Sequence, residues 1–588
     1  MSFLPSLSPG NVPSIQTTNG AVFDTNDSWK RPPEWLDLNV PTGVPEKIIG
    51  LVAVVPNNEG EQQNYVAFDL DTDDNSSFTV DWGDGTVETL TTDTVHYHEY
   101  DYDTLTVSSS TVESTPFRGY RQVKFEITPV GSASFSSIDF NKNGPYATVS
   151  NIERRSGPQI LDFFISSSNN TYVRLADTVY MPLLEQLEVR NTASNRLTTP
   201  NVIYKGAKRL RSIPFVPYIT SSTVNYLYTF IHCYALTHLP DDFADPDRYW
   251  FKNPSSLQGA FYRCYSLKYL PEGLFGEANT TWSNSPSHNA MFYECRNLKR
   301  IPSMPNPNGL CDFRFMFYNC LDLKALPKGF SIKKVNSNGL NTTFYNCREC
   351  YDFTAINLDD TDVGQNFTMY RAFYNWDSIK TFPYLGQFTK ATNVQDCWSG
   401  ATQMERFSSD YTTLDFTNVT SMRGTFQSME SLQELPPIQI TNLSHSLDGF
   451  YQCFYGCTSL RKVVFIGMTG NTSGEYYRMF YNNASLTYIE GIDFSFANDA
   501  GDMTETFYLC YNISYIKFPG GSTDETGFRY STELRYCPLN RNAMLEIFNH
   551  LCTITHSATL NLTNNSYTSD LTAEDIQIAT NKGWTVSI

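Results

Sequence analysis

The stretch Phe261-Tyr262-Arg263-Cys264-Tyr265-Ser266-Leu267-Lys268-Tyr269-Leu270-Pro271 decides how this chain folds, because it recurs. The pattern Phe-Tyr-x-Cys-x-x-Leu-x-x-Leu-Pro returns with Phe292, Cys295, Leu298, Ile301 and Pro302, and again with Phe317, Cys320, Leu323, Leu326 and Pro327. Looser copies sit at Tyr204, Phe230, Phe344, Phe373, Trp398, Phe426, Phe454, Phe480 and Phe507. Successive copies start roughly 25 to 31 residues apart, a period that belongs to solenoids. Phe and Cys three residues apart fall on one face of a helical turn. The apolar residues after them form a short extended segment, closed by a Pro that has no donor to give a sheet interior. Each unit thus predicts a short helix, a turn and a strand. A single unit cannot bury its apolar side alone; stacked units bury it as rows of Phe, Cys and Leu.

The chain has 588 residues, more than one ordinary core holds, so several domains or a repeat array are expected. Its net charge of -19 argues against general nucleic-acid binding. No apolar run is long enough to span a membrane, so no membrane insertion is expected. Met1 to Pro13 lacks the basic and apolar parts of a secretory signal, which fits a particle assembled inside a cell better than a secreted adhesin. Seven of the 13 cysteines (Cys233, Cys264, Cys295, Cys320, Cys347, Cys457, Cys510) share one repeat slot. Other copies place Ala207, Trp376, Ala401, Met429 or Asn483 there, so the slot asks for a small or soft buried side chain rather than a disulfide or metal ligand. No metal and no cofactor is implied.

Residues 1–45 are rich in Pro, Gly, Asn, Ser and Thr and read as an extended arm. Trp29 and Trp35 within it suit either docking on a virion partner or packing on this chain's own next domain. Residues 46–130 read as a small β-sandwich: Ile48 to Val55 is apolar, and Phe78, Val80 and Trp82 alternate before a tight Gly83-Asp84-Gly85 turn. The acidic run Asp69, Asp71, Asp73, Asp74 lacks the glycine and terminal Glu of a calcium loop and reads as a solvated hairpin. His96 and His98 share a strand face, too few for a metal site. The array is placed at 131–537, with some fifteen coils. Residues 538–588 break the pattern as a C-terminal α/β cap. There, Met544, Ile547, Phe548 and Leu551 line one side of a helix with Asn540 as its cap, and Thr572 to Asp575 opens a second helix as a capping box. The fold class expected is mixed β/α: extended arm, β-sandwich, a leucine-rich-repeat solenoid of short helices and strands, and the cap.

Three resemblances follow from these motifs. The repeat resembles the leucine-rich repeats of bacterial surface proteins of the BspA type. Val80-Asp-Trp-Gly-Asp-Gly-Thr86 resembles the signature of polycystin-type immunoglobulin-like domains. Arg31-Pro-Pro-Glu-Trp-Leu36, Gly119-Tyr-Arg-Gln122 and the ending Leu571-Thr-Ala-Glu-Asp … Ala-Thr-Asn-Lys-Gly-Trp-Thr-Val are similar to structural proteins of tailed phages. Together they imply a virion component, assembled in the host cytoplasm. It would be an appendage such as a tail or capsid fibre that binds the host surface, or else an architectural decoration or connector protein. Its expected partners are other virion proteins through the arm, a host surface glycan or protein, and further copies of itself. The copies at Phe480 and Phe507 depart from the strict pattern, which puts regularity of the coils in doubt.

Two outward rows are candidate binding surfaces. One is the Tyr after Phe: Tyr262, Tyr293, Tyr318, Tyr345, Tyr374, Tyr455, Tyr481 and Tyr508, either a ladder for sugars or a protein partner or a filler between coils. The other is a basic row, Arg211, Lys268, Lys299, Arg300, Lys324, Lys380, Arg461 and Lys462, either a positive stripe for an anionic partner or a solvated face with paired acids. No phosphate loop, nucleophile elbow or zinc-protease motif is present, so an enzyme is not expected. A carboxylate pair for glycan cleavage stays open as an alternative.

Overall fold

The computed structural model describes residues 29–56, 64–106, 111–113, 119–142, 159–170, 172–175, 181–277, 280–326, 332, 335–352, 356, 358, 366–441, 443, 449–468, 475–521 and 524–588. Residues 1–28 of the expected arm, and Pro327 of the third clear repeat, lie outside them.

The front of the chain is a two-sheet sandwich. Its strands are β1 (Lys47–Val54), β2 (Tyr65–Thr72), β3 (Phe78–Asp81), β4 (Val87–Leu90), β5 (Val95–Glu99), β6 (Thr111–Glu113), β7 (Arg121–Pro129), β8 (Phe135–Asp139), β9 (Ile160–Ser166), β10 (Tyr172–Arg174) and β11 (Gln186–Arg190). One sheet runs β11-β9-β1-β7-β3-β4, with β6 also on β7; the other runs β10-β8-β2-β5. The Trp82 turn is built as its residues require. Trp82 is fully buried and stacks on His98 at 4.7 Å, and its indole N–H donates to Glu88 at 2.8 Å. Gly83 has φ +83°, and a Cβ there would come within 2.1 Å of the Lys124 carbonyl oxygen, so only glycine fits.

The unbroken apolar run of β1 is explained by burial on both faces. Ile48, Val52 and Val54 face the main core, while Ile49, Leu51 and Ala53 face a second cluster made with Trp35, Leu38, Tyr120, Leu161 and Phe164. That second cluster is where the end of the arm packs on the sandwich. Trp35 is 4% exposed and its indole N–H donates to the Tyr120 hydroxyl at 3.2 Å; Trp29 donates to Glu185 at 3.1 Å. Arg31 reaches the buried Asp162 carboxylate at 2.6 Å. Of the two readings for Trp29 and Trp35, the structure shows packing on this chain's own sandwich and not docking on a partner: Trp35 is buried and Trp29 half-buried against it, because the outer face of β1 needs a cover.

The boundary at residue 130 is also corrected. β8 pairs antiparallel with β2, and β9 pairs antiparallel with β1, so both sheets need strands beyond 130. β9 then takes β11 in parallel, Leu187 opposite Phe163, and Gln186 bridges onward to Ser212. An edge strand of the sandwich is thus the first strand of the parallel stack, which leaves no bare edge between them. One hydrophobic cluster runs from Ile48 to Trp584.

The structure is mostly β, with a solenoid of about 15 turns and only two α-helices among the described residues. The expected short helix in each coil is not what forms; the Phe-Tyr-x-Cys segment is a pair of tight turns. Left-handed residues recur four apart: Gly259 and Arg263, Ala290 and Glu294, Phe315 and Asn319, Thr342 and Asn346, Arg371 and Asn375, Asp396 and Gly400, Gly424 and Ser428. The second of each pair is the x of the motif. Backbone donors then alternate. Tyr262 and Cys264 N–H close turns on Gly259 and Phe261, at 3.0 and 3.1 Å. Gly259, Phe261 and Arg263 N–H cross to Asn289, Met291 and Tyr293 of the next coil, at 2.9, 2.9 and 2.7 Å. A helix would spend all these donors inside its own coil; here half of them bind the stack together.

Inside, the Phe rings form a continuous row, offset-stacked at 5.3 to 5.9 Å from Phe230 through Phe261, Phe292 and Phe317. The shared slot proves to be a donor position. The thiols of Cys264, Cys295, Cys320 and Cys347 donate to the Phe carbonyl of the preceding coil at 3.0 to 3.1 Å. Where the slot is Asn483, its amide donates to the Phe454 carbonyl at 2.8 Å. All thirteen cysteines are free and buried. The chain ends on α1 (Arg541–His550), capped by Asn540 and burying Met544, Ile547 and Phe548, and on α2 (Ala573–Asn581), opened by the Thr572–Asp575 capping box. Strands 558–561 and 584–587 lie parallel between and after them.

Candidate functional site

The turns fix which side chains face outward. In most coils the residue after Phe is half-buried at the surface, and neighbouring coils bring these residues into register. The predicted tyrosines do line up. Tyr262 stacks on Tyr293 at 4.5 Å, Tyr293 on Tyr318 at 4.5 Å, Tyr318 on Tyr345 at 4.7 Å and Tyr345 on Tyr374 at 4.7 Å. A second run joins Tyr455, Tyr481 and Tyr508 at 4.8 and 5.0 Å. Burial between neighbours pushes the Tyr293 phenol up to about 12. Inside a run each ring face is covered by the next ring, so only edges and hydroxyls remain for a partner.

The basic row is built as alternating charge. Lys324 pairs with Glu349 at 2.7 Å, Lys380 with Glu405 at 2.9 Å and Arg300 with Glu272 at 3.2 Å, each across coils. Lys299 lies over the Tyr269 ring and Lys462 over Tyr488, at 5.8 and 4.9 Å. Arg211 and Arg461 are exposed, and Lys268 is half-buried with a partner of its own. These residues share one side of the stack, and acids of adjacent coils are interleaved with them.

The break in the tyrosine row is a feature the sequence reading missed. After Tyr374 the next two coils carry Ser399 and Gln427 in the tyrosine position, and the row resumes at Tyr455. Three coil steps of about 4.7 Å leave an interval of roughly 14 Å. There the surface sinks into a recess of about 410 Å³, within the range of small-ligand sites. Tyr370, Arg371 and Tyr374 form one wall, Arg423 and Gln452 the other, and Gln395, Asp396, Ser399 and Gln427 lie between them. Arg371 holds Asp396 at 3.0 Å and lies over the Tyr370 ring at 4.9 Å; Arg423 lies over Tyr451 at 4.5 Å. The Gln395 amide donates to Ser421 at 2.9 Å. A Cβ on Gly424 would come within 2.2 Å of Asp396 Oδ1, so glycine lets that carboxylate lie against the backbone. The missing Tyr in two consecutive copies was the available signal.

Among the described residues, no group of three or more His, Cys, Asp or Glu side chains is placed to hold a metal ion, and no helix is long and apolar enough to cross a membrane. The fold and surface define a repeat solenoid fused to a β-sandwich. No model of a known protein family matches the chain. None of the curated proteins matches it either. Among solved structures, the crystal structure of a mouse RP105/MD-1 complex aligns with 75% of this chain and 88% of that one, at 12% identity and a TM-score of 0.18, a likeness that carries no argument.

Proposed function

We propose that the protein is a non-enzymatic structural component of a tailed-phage virion, an appendage that contacts the host surface through the outward turn face of its solenoid. The observation that carries this reading is the polar recess where the tyrosine row breaks. Its side chains are held by ion pairs, stacking and glycine contacts, as a preorganised binding surface requires. The phage context rests on the resemblance of the front and the ending of the chain. The recess offers one carboxylate, Asp396, already tied to Arg371, whereas glycoside hydrolysis generally uses two; that favours binding over glycan cleavage. With Trp29 and Trp35 committed to the sandwich, its open edge strands β4 and β5 are left for neighbouring virion proteins or further copies. A purely architectural role is the second reading, favoured by the interleaved charges of the basic row. Antibody labelling of intact particles tests the virion assignment, and binding of the full chain to host cells separates appendage from architecture. The full chain is the right reagent, because a cut at 130 removes strands that both sheets need. Absence from purified particles refutes the proposal.

A further inference from the structure

Resting on that reading, we infer that the recess between Tyr374 and Tyr455 is a saccharide subsite, taking one or two pyranose units of a surface polysaccharide. The argument is chemical. A pyranose has an apolar C–H face and a rim of hydroxyls that both donate and accept. Tyr374 ends its run: one face rests on Tyr345 at 4.7 Å, and on the other side stands Ser399 instead of a ring. That leaves the Tyr374 plate, with the Arg371 guanidinium over it at 5.7 Å, at the edge of a cavity, so a sugar ring meets aromatic edge and cation together. Around it stand groups matched to hydroxyls: the amides of Gln395, Gln427 and Gln452, each both donor and acceptor, the Asp396 carboxylate and the Arg423 guanidinium.

The same groups disfavour other ligand classes. Arg371 is matched by Asp396 at 3.0 Å and Arg423 is held over the Tyr451 ring at 4.5 Å on the opposite wall, so the two guanidiniums are each engaged separately rather than paired on one phosphate or sulfate. Outside the tyrosine rings no large apolar side chain lines the recess, so it offers little to a lipid tail or an apolar peptide anchor. The roughly 14 Å interval along the stack admits two sugar rings end to end, with Arg423 and Gln452 on the far wall. Stacking provides affinity and the planar amides provide selectivity among hydroxyl patterns.

The filling variant S399Y/Q427Y places in both coils the residue used by their neighbours, continuing the tyrosine row through the recess. Recombinant full chain is screened on an array of hexose, N-acetylhexosamine and uronic-acid oligosaccharides. Affinity is then measured by titration, with thermal unfolding as the fold control. The wild type is expected to bind at least one pyranose class, and S399Y/Q427Y to lose tenfold or more while unfolding at the same temperature or higher. Tyr374→Ala, which removes the plate without filling the cavity, is expected to lose a similar factor and serves if the filled variant does not fold. An array with no bound glycan, or equal binding by the variants, overturns the inference. Host-cell binding keeps the two claims apart: cells bound equally by wild type and filled variant remove the saccharide subsite and leave the appendage standing. Glycan binding without attachment to cells or particles does the reverse.

Discussion

Phe292 and Tyr293 are adjacent in sequence and occupy the two rows that define the coil, so replacing each by Ala separates the interior from the surface. Phe292 is fully buried, with Phe261 stacked at 5.4 Å on one side and Phe317 at 5.9 Å on the other. Truncating a buried Phe costs about 3–5 kcal/mol. Two stacked aromatic contacts, each worth about 0.5–1.5 kcal/mol beyond area, push Phe292→Ala toward the top of that range. Tyr293 also has two stacked neighbours, at 4.5 Å each, but is half-buried, so Tyr293→Ala should cost about 1–2 kcal/mol. Because coils touch only their neighbours, the loss should be local. Hydrogen exchange followed by mass spectrometry reads both quantities. Protection should fall in the coils of Phe261, Phe292 and Phe317, while α1 and the Trp82 sandwich keep theirs. Equal costs for the two substitutions, or an even loss along the chain, would refute the picture of a dry inner row coupled coil to coil.

Other perturbations test separate parts of the structure. Arg31→Ala should cost about 3 kcal/mol at neutral pH, since it strands the buried Asp162 carboxylate. Burial already raises the pKa of Asp162 and Arg31 opposes that rise, so the variant's value climbs further. A carboxyl whose folded pKa lies above its unfolded one loses stability as pH rises between the two, so the variant's deficit should shrink on acidification; denaturant titrations at several pH values check this. Burial pushes the Cys457 thiol up to about 12 and Cys552 up to about 11, so native protein at pH 8 should react with a thiol reagent only after denaturant is added. Fast labelling of Cys264, Cys295 or Cys320 would remove the thiol-to-carbonyl row. Gly83→Ala, facing the Lys124 carbonyl at 2.1 Å with φ +83°, should destabilise the sandwich by about 2 kcal/mol or more in thermal unfolding.

The residues alone determined that the chain stacks and which side chains go inside. The Phe, Leu and Cys rows, the apolar β1, the turn after Trp82 and both terminal helices with their caps are local patterns, and burial follows from periodicity. The conformation of the Phe-Tyr-x-Cys segment was not recovered from that periodicity. Phe and Cys three apart satisfy one face of a helix and also a pair of tight turns. The discriminating signal was the x, Asn or Gly at Asn319, Asn346, Asn375, Gly400, Gly456 and Asn482, residue types that tolerate left-handed backbone. Only the tertiary structure decided where donors go, since a backbone N–H that crosses to the next coil has its partner roughly 30 residues away. The same holds for the arm, whose Trp35 finds its cover on β1, and for the sandwich boundary, which depends on β8 and β9 returning to β2 and β1. It holds for the recess as well: two consecutive copies without the Tyr mark the place in the sequence, but only stacking in register sets Arg423 and Gln452 across from Tyr374.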